Sequence, residues 1–173
     1  ESLSQWIKKG GKVIAVAKAL ASFEGKKGFG LEKIEAKKDS TTVRLTSYAK
    51  REKERTKDNI TGAIFKVNVD NTHPLAFGYT DEYFSLKLGA TSYQYLQNGS
   101  NVAYFDETAK NISGYAGSKA VKQVPKSLLF GEERMGRGSV VYMVDNPLFR
   151  SFWDNGKLFV ANAVFLLNSD TLT

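Results

Sequence analysis

The chain of 173 residues contains no cysteine and a single histidine, His73. The lack of cysteine excludes disulfide bonds, thiolate zinc sites and cysteine nucleophiles. One histidine is too few for a metal site that uses two or three histidine ligands. A serine–histidine–aspartate triad would have to use His73 as its base. Composition alone therefore excludes several common catalytic and metal-binding sets.

Long apolar runs are also missing. No run approaches the roughly 18 apolar residues that a membrane-spanning helix requires, and no signal-peptide pattern opens the chain. The sequence leads from Glu1 directly into an amphipathic helix with Leu3, Trp6 and Ile7 on one face. We interpret this start as that of a fragment of a longer protein. The length and the apolar fraction of 42% fit a single domain over residues 1–173.

The net charge of +7 is concentrated in the first third of the chain. Basic clusters can bind phosphate backbones or anionic surfaces. In the basic run at 50–57, however, acidic residues are interleaved and no aromatic stacking motif is present. We therefore expect a solvated helix face and no nucleic-acid partner. The charged stretch at about 25–61 is predicted to be an excursion from the domain, with a contact surface for a neighbour as the alternative.

Two apolar segments predict the centre of the fold. Residues 13–17 and 140–144 are rich in β-branched side chains, which is typical of parallel strands covered on both faces. A helical pattern at 157–167 is almost apolar all round, so we expect that helix to be buried or docked on a partner. The predicted fold class is α/β, an open and mostly parallel sheet flanked by helices.

The remaining segments predict strands and surface elements around this centre. Alternation of apolar and polar residues at 63–69, 84–88 and 101–105 predicts strands with one wet face. Good helix formers at 42–58 predict a surface helix. The glutamate- and arginine-rich segment at 131–138 is predicted to be a turn.

His73 is the first candidate site residue because no other histidine could replace it. It lies between a predicted strand and a proline turn, with Asp70 and Thr72 close in sequence. A histidine in this position often closes a loop through a hydrogen bond to backbone, and we favour that structural role. Ligand contact is the alternative, and a degenerate hydrolase that uses His73 is a third hypothesis.

The loop between the last strand and the last helix supplies the other candidates, Arg150, Trp153 and Asn155. Open α/β sheets bind ligands in loops at the carboxyl ends of their parallel strands. Guanidinium, indole and amide groups together suit a sugar or a peptide. The competing interpretation is that the aromatic residues of this loop only cap the core. We predict no catalytic residue and no metal ligand.

Three segments resemble a known family: WIKKGGKVIA at 6–15, VDNTHPLAFGY at 69–79 and GRGSVVYMVDNPLFRSFWDNGKLFVANAVF at 136–165. They are similar to the C-terminal class I glutamine amidotransferase-like domain of bacterial (Bacteroidetes-type) zinc carboxypeptidase-like proteins, which belong to the carboxypeptidase A-like metallopeptidases. The resemblance implies an amidotransferase-like (flavodoxin-like) fold whose N-terminal part is missing from this chain.

The same resemblance implies a function. The chain would be a non-catalytic accessory domain that packs on the zinc carboxypeptidase domain of the same polypeptide or assists its substrate binding. Zinc would then be bound only in that upstream domain, with no cofactor in this chain, and the protein would be periplasmic or secreted. An independent carbohydrate- or peptide-binding module is the alternative function.

Overall fold

The computed structural model describes residues 2–35 and 47–167 of the chain. Within them, seven strands form one mixed sheet and the α-helices are short. The helices are α1 (Leu3–Lys8), α2 (Tyr48–Lys57) and α3 (Lys157–Phe165). The strands are β1 (Lys12–Val16), β2 (Ile60–Val69), β3 (Glu82–Lys87), β4 (Ser100–Phe105), β5 (Asn111–Ala116), β6 (Ser127–Met135) and β7 (Gly138–Met143).

The strand order is β1-β7-β6-β4-β2-β3, and β5 pairs with β2 on the side that β4 also occupies. Strands β1 and β7 are parallel, whereas the other described pairs are antiparallel. The hairpin between β6 and β7 requires glycine at both ends of its turn. Gly136 has a φ of 63°, and a Cβ on Gly138 would lie 2.1 Å from the carbonyl oxygen of Ile7. Helix α1 therefore packs directly against this turn.

The predicted open, parallel α/β fold is wrong, because the protein is mostly β with a largely antiparallel sheet. The segment 13–17, predicted as a central strand, corresponds to β1 at the end of the strand order, paired with β7 alone. The segment 131–138, predicted as a turn, belongs mainly to β6 in the middle of the sheet. Its glutamates are tolerated there because each has partners. Glu132 contacts His73, and Glu133 accepts hydrogen bonds from the Gly30 amide and the Tyr142 hydroxyl.

Several local predictions are correct. The strands expected at 63–69, 84–88 and 101–105 are present as β2, β3 and β4, and the surface helix is present as α2 within the described part of its predicted range. The first residues of that predicted helix, 42–46, lie outside the described residues. Helix α3 is present, but it is only partly buried, since Phe165 is 77% exposed.

The sheet is curled into a half-barrel. In a flat sheet with this order, four strand spacings, or about 19 Å, would separate β3 from β7. Instead, the Ser85 hydroxyl of β3 donates a 2.9 Å hydrogen bond to Asp145, which follows β7. The aromatic side chains that fill the curl are buried, including Phe65, Phe105 and Phe130. The curl therefore brings the end of β7 next to β3.

No helix in the described ranges has the length and apolar character to cross a membrane.

Candidate functional site

A cleft of about 820 Å³ opens where β1 and β7 end. This volume is within the range of roughly 300–1,000 Å³ that is typical of ligand pockets. One wall comes from the end of β1 and the turn after it, including Val16 and Ala17. Another comes from β3 and the following turn, including Leu86 and Leu88. The residues after β7 complete the lining, so the curl of the sheet is what creates the cleft.

Ala17 is in a strained conformation at the edge of this cleft. Its φ is 51°, in the left-handed region, at the point where β1 turns into the 3-10 helix Ala17–Ser22. A left-handed conformation costs a non-glycine residue about 1–2 kcal/mol, and such strain is concentrated at functional sites. The methyl side chain of Ala17 offers neither a nucleophile nor a base. The strain therefore shapes the cleft without supplying a reactive group.

A buried ion pair lies beside the cleft. The Lys87 ammonium group is 3.3 Å from Oδ1 of Asp145 and donates a hydrogen bond to the Thr91 carbonyl oxygen. Oδ2 of Asp145 accepts the hydrogen bond from Ser85. Both charged side chains are largely shielded from solvent. Asp145 also lines the cleft, and its charge there is balanced by Lys87.

The second carboxylate of the lining, Glu24, also has partners. The Lys33 ammonium group lies 3.7 Å from one of its oxygens, and the Tyr93 hydroxyl donates a 3.2 Å hydrogen bond to the other. Burial, together with the nearby Glu24 charge, raises the pKa of Tyr93 to about 12. The Tyr93 hydroxyl therefore remains protonated and a donor at neutral pH. Glu24 is thus held in place by a cation and a hydroxyl.

Lys18 differs from the other charged residues of the lining. It follows the strained Ala17, it is exposed, and no described carboxylate lies within ion-pairing distance of it. Since Glu24 is offset by Lys33 and Asp145 by Lys87, Lys18 gives the described lining an excess positive charge. The cleft therefore favours anionic ligands.

The outer edge of β3 includes a lining residue, Leu86, whose backbone groups have no described partner. In an antiparallel strand, alternate residues direct both N–H and C=O to the same side. The Asp81 carbonyl oxygen bonds to the Val69 amide of β2, whereas the Phe84 carbonyl oxygen accepts a bond from the Asn155 side chain on the other side. Leu86 has the orientation of Phe84, away from β2. Neither its N–H nor its C=O is hydrogen-bonded to another described residue.

His73, predicted as a site residue, is engaged through both ring nitrogens. Nδ1 accepts a hydrogen bond from the Leu75 amide, and Nε2 lies 3.3 Å from a carboxylate oxygen of Glu132. The Leu75 bond places the ring proton on Nε2, which donates to Glu132. Burial works to raise the pKa of Glu132, but hydrogen bonds from His73 and Ser139 leave it lowered. These contacts support the structural interpretation of His73, and ligand contact stays a prediction.

The three loop candidates also have partners within the fold. Arg150 lies over the Phe149 ring, with its guanidinium carbon 5.1 Å from the ring centroid. The Asn155 side chain donates to the Phe84 carbonyl oxygen at 2.8 Å. The Trp153 ring meets the Phe152 ring edge-on at 6.4 Å between centroids. None of the three lines the cleft, whereas Asn146, earlier in the same loop, does.

Sequence reasoning missed most of the cleft. In open α/β sheets, ligands bind in the loops that follow parallel strands. Sequence reasoning used this rule for the loop after β7. The same rule also points to Ala17 and Lys18 in the turn after β1, which sequence reasoning did not consider. Leu86 carried no comparable signal, because its role depends on the curl. In the parts of the chain that the structure describes, no group of three or more potential ligands is placed to hold a metal ion.

Comparison with known proteins gives little further information. No protein-family model matches the chain, and no curated protein matches it. Among solved structures, the chain is similar to a β-galactosidase from Bacillus circulans sp. alkalophilus, with 10% sequence identity and a TM-score of 0.48. The match covers 93% of this chain and 19% of that chain, so the chain spans about a fifth of the enzyme's length. A likeness this distant carries no argument about activity.

The predicted resemblance to an amidotransferase-like domain of zinc carboxypeptidase-like proteins is wrong. Neither a family model nor a curated protein supports it. The curled, largely antiparallel sheet also contradicts the flavodoxin-like fold that the resemblance implied. Two of the three matching segments are only about ten residues long, and all three contain glycines, which many folds use in turns.

Proposed function

We propose that the chain is a non-catalytic binding module that holds an extended peptide along β3 in the cleft. The observation that carries this proposal is the unpaired edge of Leu86, which lies in the wall of a cleft of ligand size. An extended peptide can add a strand to such an edge, with main-chain hydrogen bonds for affinity and side-chain pockets for specificity. Each such bond contributes about 0.5–1.5 kcal/mol net.

A peptide suits the cleft better than a carbohydrate does. Sugars commonly pack on an open aromatic face, and the half-buried aromatic ring of the lining is Phe149. Arg150 lies over that ring. The other aromatic ring of the lining, Tyr93, is buried. A backbone edge, by contrast, offers a donor and an acceptor spaced to match another backbone.

The side chains of the lining support binding rather than catalysis. Its two carboxylates, Glu24 and Asp145, are both paired with lysine ammonium groups. Ala17, at the strained turn, supplies only a methyl group. His73 bonds through both nitrogens to Glu132 and the Leu75 amide and is not part of the lining.

A role beside a zinc peptidase domain, and a periplasmic or secreted location, rested on the resemblance and have no other support.

The proposal can be tested with peptides that differ only in their backbone. Hexapeptides selected on the immobilised chain from a displayed random library would be resynthesised with one N-methyl group at each position in turn. Strand addition predicts that methylation at alternate positions abolishes binding and methylation at the intervening positions is tolerated, because only every second amide faces β3.

A protein variant gives the matching control. Leu86→Pro removes the outward N–H while leaving the bonds between β3 and β2 in place, and proline is accepted on edge strands. Leu86→Ala keeps the N–H and shortens the side chain. We expect peptide binding to be lost in Leu86→Pro and retained in Leu86→Ala, with both variants folded by circular dichroism. Failure to select any peptide, or no alternation in the methylation series, would refute the proposal.

A further inference from the structure

We infer that the peptide held in the cleft carries a carboxylate and that Lys18 selects for it. The inference rests on the proposed function, since it names the chemistry of the ligand in the same cleft. It is drawn from the charges of the lining rather than from the backbone edge.

The acidic groups of the described lining are already paired. Glu24 and Asp145 are the carboxylates of the described lining, and each already has a lysine and a hydroxyl as partners. Neither is therefore available to pair with a basic group of a ligand without losing an existing contact. A cationic ligand would meet Lys18 with no free carboxylate among the described lining residues to offset it.

Lys18 is placed to meet a carboxylate of the ligand. Its side chain is exposed at the end of β1, next to the strained Ala17, and the described residues supply no carboxylate partner. The wall formed by β3 comes from the opposite end of the strand order, so a peptide paired with Leu86 lies between the two walls. A carboxylate on such a peptide gains an ion pair with Lys18 without displacing another contact.

Much of the lining is apolar. Val16, Ala17, Leu86, Leu88 and Val144 give the walls a largely apolar character. Alternate side chains of an extended peptide project to opposite faces. The ligand chemistry that fits is therefore an extended segment in which an acidic residue is flanked by apolar or β-branched residues.

Three synthetic hexapeptide pools would test the inference. All would be drawn from Val, Thr, Leu and Ser, capped at both ends, with one position fixed as Glu, Gln or Lys. Retention on the immobilised chain would be measured at low and high salt. We expect the Glu pool to be retained about fivefold more than the Gln pool at low ionic strength, and the Lys pool least, with the preference weakened by salt.

Variants assign the preference to a residue. Lys18→Met should remove the Glu preference, and Lys18→Arg should keep it. Lys122→Met is the matched control, because Lys122 is exposed, lies outside the lining and carries the same charge. Equal retention of the three pools, or an unchanged Glu preference in Lys18→Met, would overturn the inference while leaving peptide binding intact. Retention of no pool, with no peptide recovered from the random library, would overturn the proposed function as well.

Discussion

Lys87 and Asp145 form a buried ion pair, 3.3 Å between ammonium nitrogen and carboxylate oxygen, that joins β3 to the connection after β7. These elements are at opposite sides of the strand order, so the pair spans the open side of the half-barrel. Ser85 adds a second bond to the same carboxylate. The pair therefore fixes the relative position of two walls of the cleft.

Removal of one partner of this pair should destabilise the fold strongly. We expect Lys87→Met to lower the free energy of unfolding by about 3–5 kcal/mol, because Asp145 is left buried without its cation. The double variant Lys87→Met/Asp145→Asn should cost less than the sum of the single changes. Urea unfolding of the four proteins measures the coupling.

The exposed pair between Lys66 and Glu82 serves as the control. Lys66→Met should change the free energy of unfolding by less than about 1 kcal/mol, as is usual for surface pairs. An equally small effect of Lys87→Met, or strict additivity in the double variant, would show that the buried pair does not hold the curl together.

The predicted strands β2 and β3 were found because one face of each is buried and the other is more exposed, and that pattern is local. Whether neighbouring strands run parallel or antiparallel was not predictable in the same way. An apolar run such as 13–17 fits a central parallel strand, yet β1 has a strand partner on one side only. The difference is set by which strand it meets, and the partner, β7, is more than 120 residues away in sequence.

The second half of strand β6, predicted as a turn, was missed for a different reason. Charged residues at 132–134 predict exposure, but Glu132 is 4% exposed because His73 and Ser139 satisfy its carboxylate. Such compensation depends on tertiary contacts that no local pattern contains. The cleft was missed for the same reason, because it also depends on tertiary contacts. The proximity of β3 to Asp145 exists only after the sheet has curled.

Substitution of Ala17 by glycine should stabilise the fold, whereas most substitutions destabilise a protein. Ala17→Gly should raise the free energy of unfolding by up to about 1 kcal/mol, because relief of the left-handed strain exceeds the entropic cost of glycine. Ala21, on the same 3-10 helix, does not have a positive φ. Ala21→Gly should therefore destabilise by about 0.5–1 kcal/mol. Thermal and urea unfolding would compare the two, and destabilisation by both to the same extent would mean that Ala17 is not strained.

The buried carboxyl of Glu132 predicts a pH dependence of stability. Its pKa is lowered in the folded protein relative to the ordinary value of 4.5. The resulting stabilisation is therefore fully present above about pH 4.5 and is lost as the pH falls through the lowered value. Urea unfolding at pH 6 and pH 3 should show a larger acid-induced loss for the wild-type chain than for Glu132→Gln.

Ser139 provides a graded check of the same effect. Ser139→Ala removes one of the hydrogen bonds that lower the pKa of Glu132, so its acid-induced loss should be intermediate between those of the wild-type chain and Glu132→Gln. An acid-induced loss in Glu132→Gln as large as in the wild-type chain would assign the pH dependence to other groups.

Variants of the loop residues Arg150 and Asn155 distinguish ligand binding in the cleft from binding at the site that the sequence predicted. Asn155→Ala should lower the free energy of unfolding by about 1 kcal/mol, because the Phe84 carbonyl oxygen loses its donor. Arg150→Ala should change stability by less than about 0.5 kcal/mol, since its guanidinium is exposed over Phe149. Peptide retention should persist in Arg150→Ala and be lost in Leu86→Pro. The reverse result, with Arg150→Ala folded but unable to retain peptide, would place the ligand on the loop after β7 and not on the edge of β3.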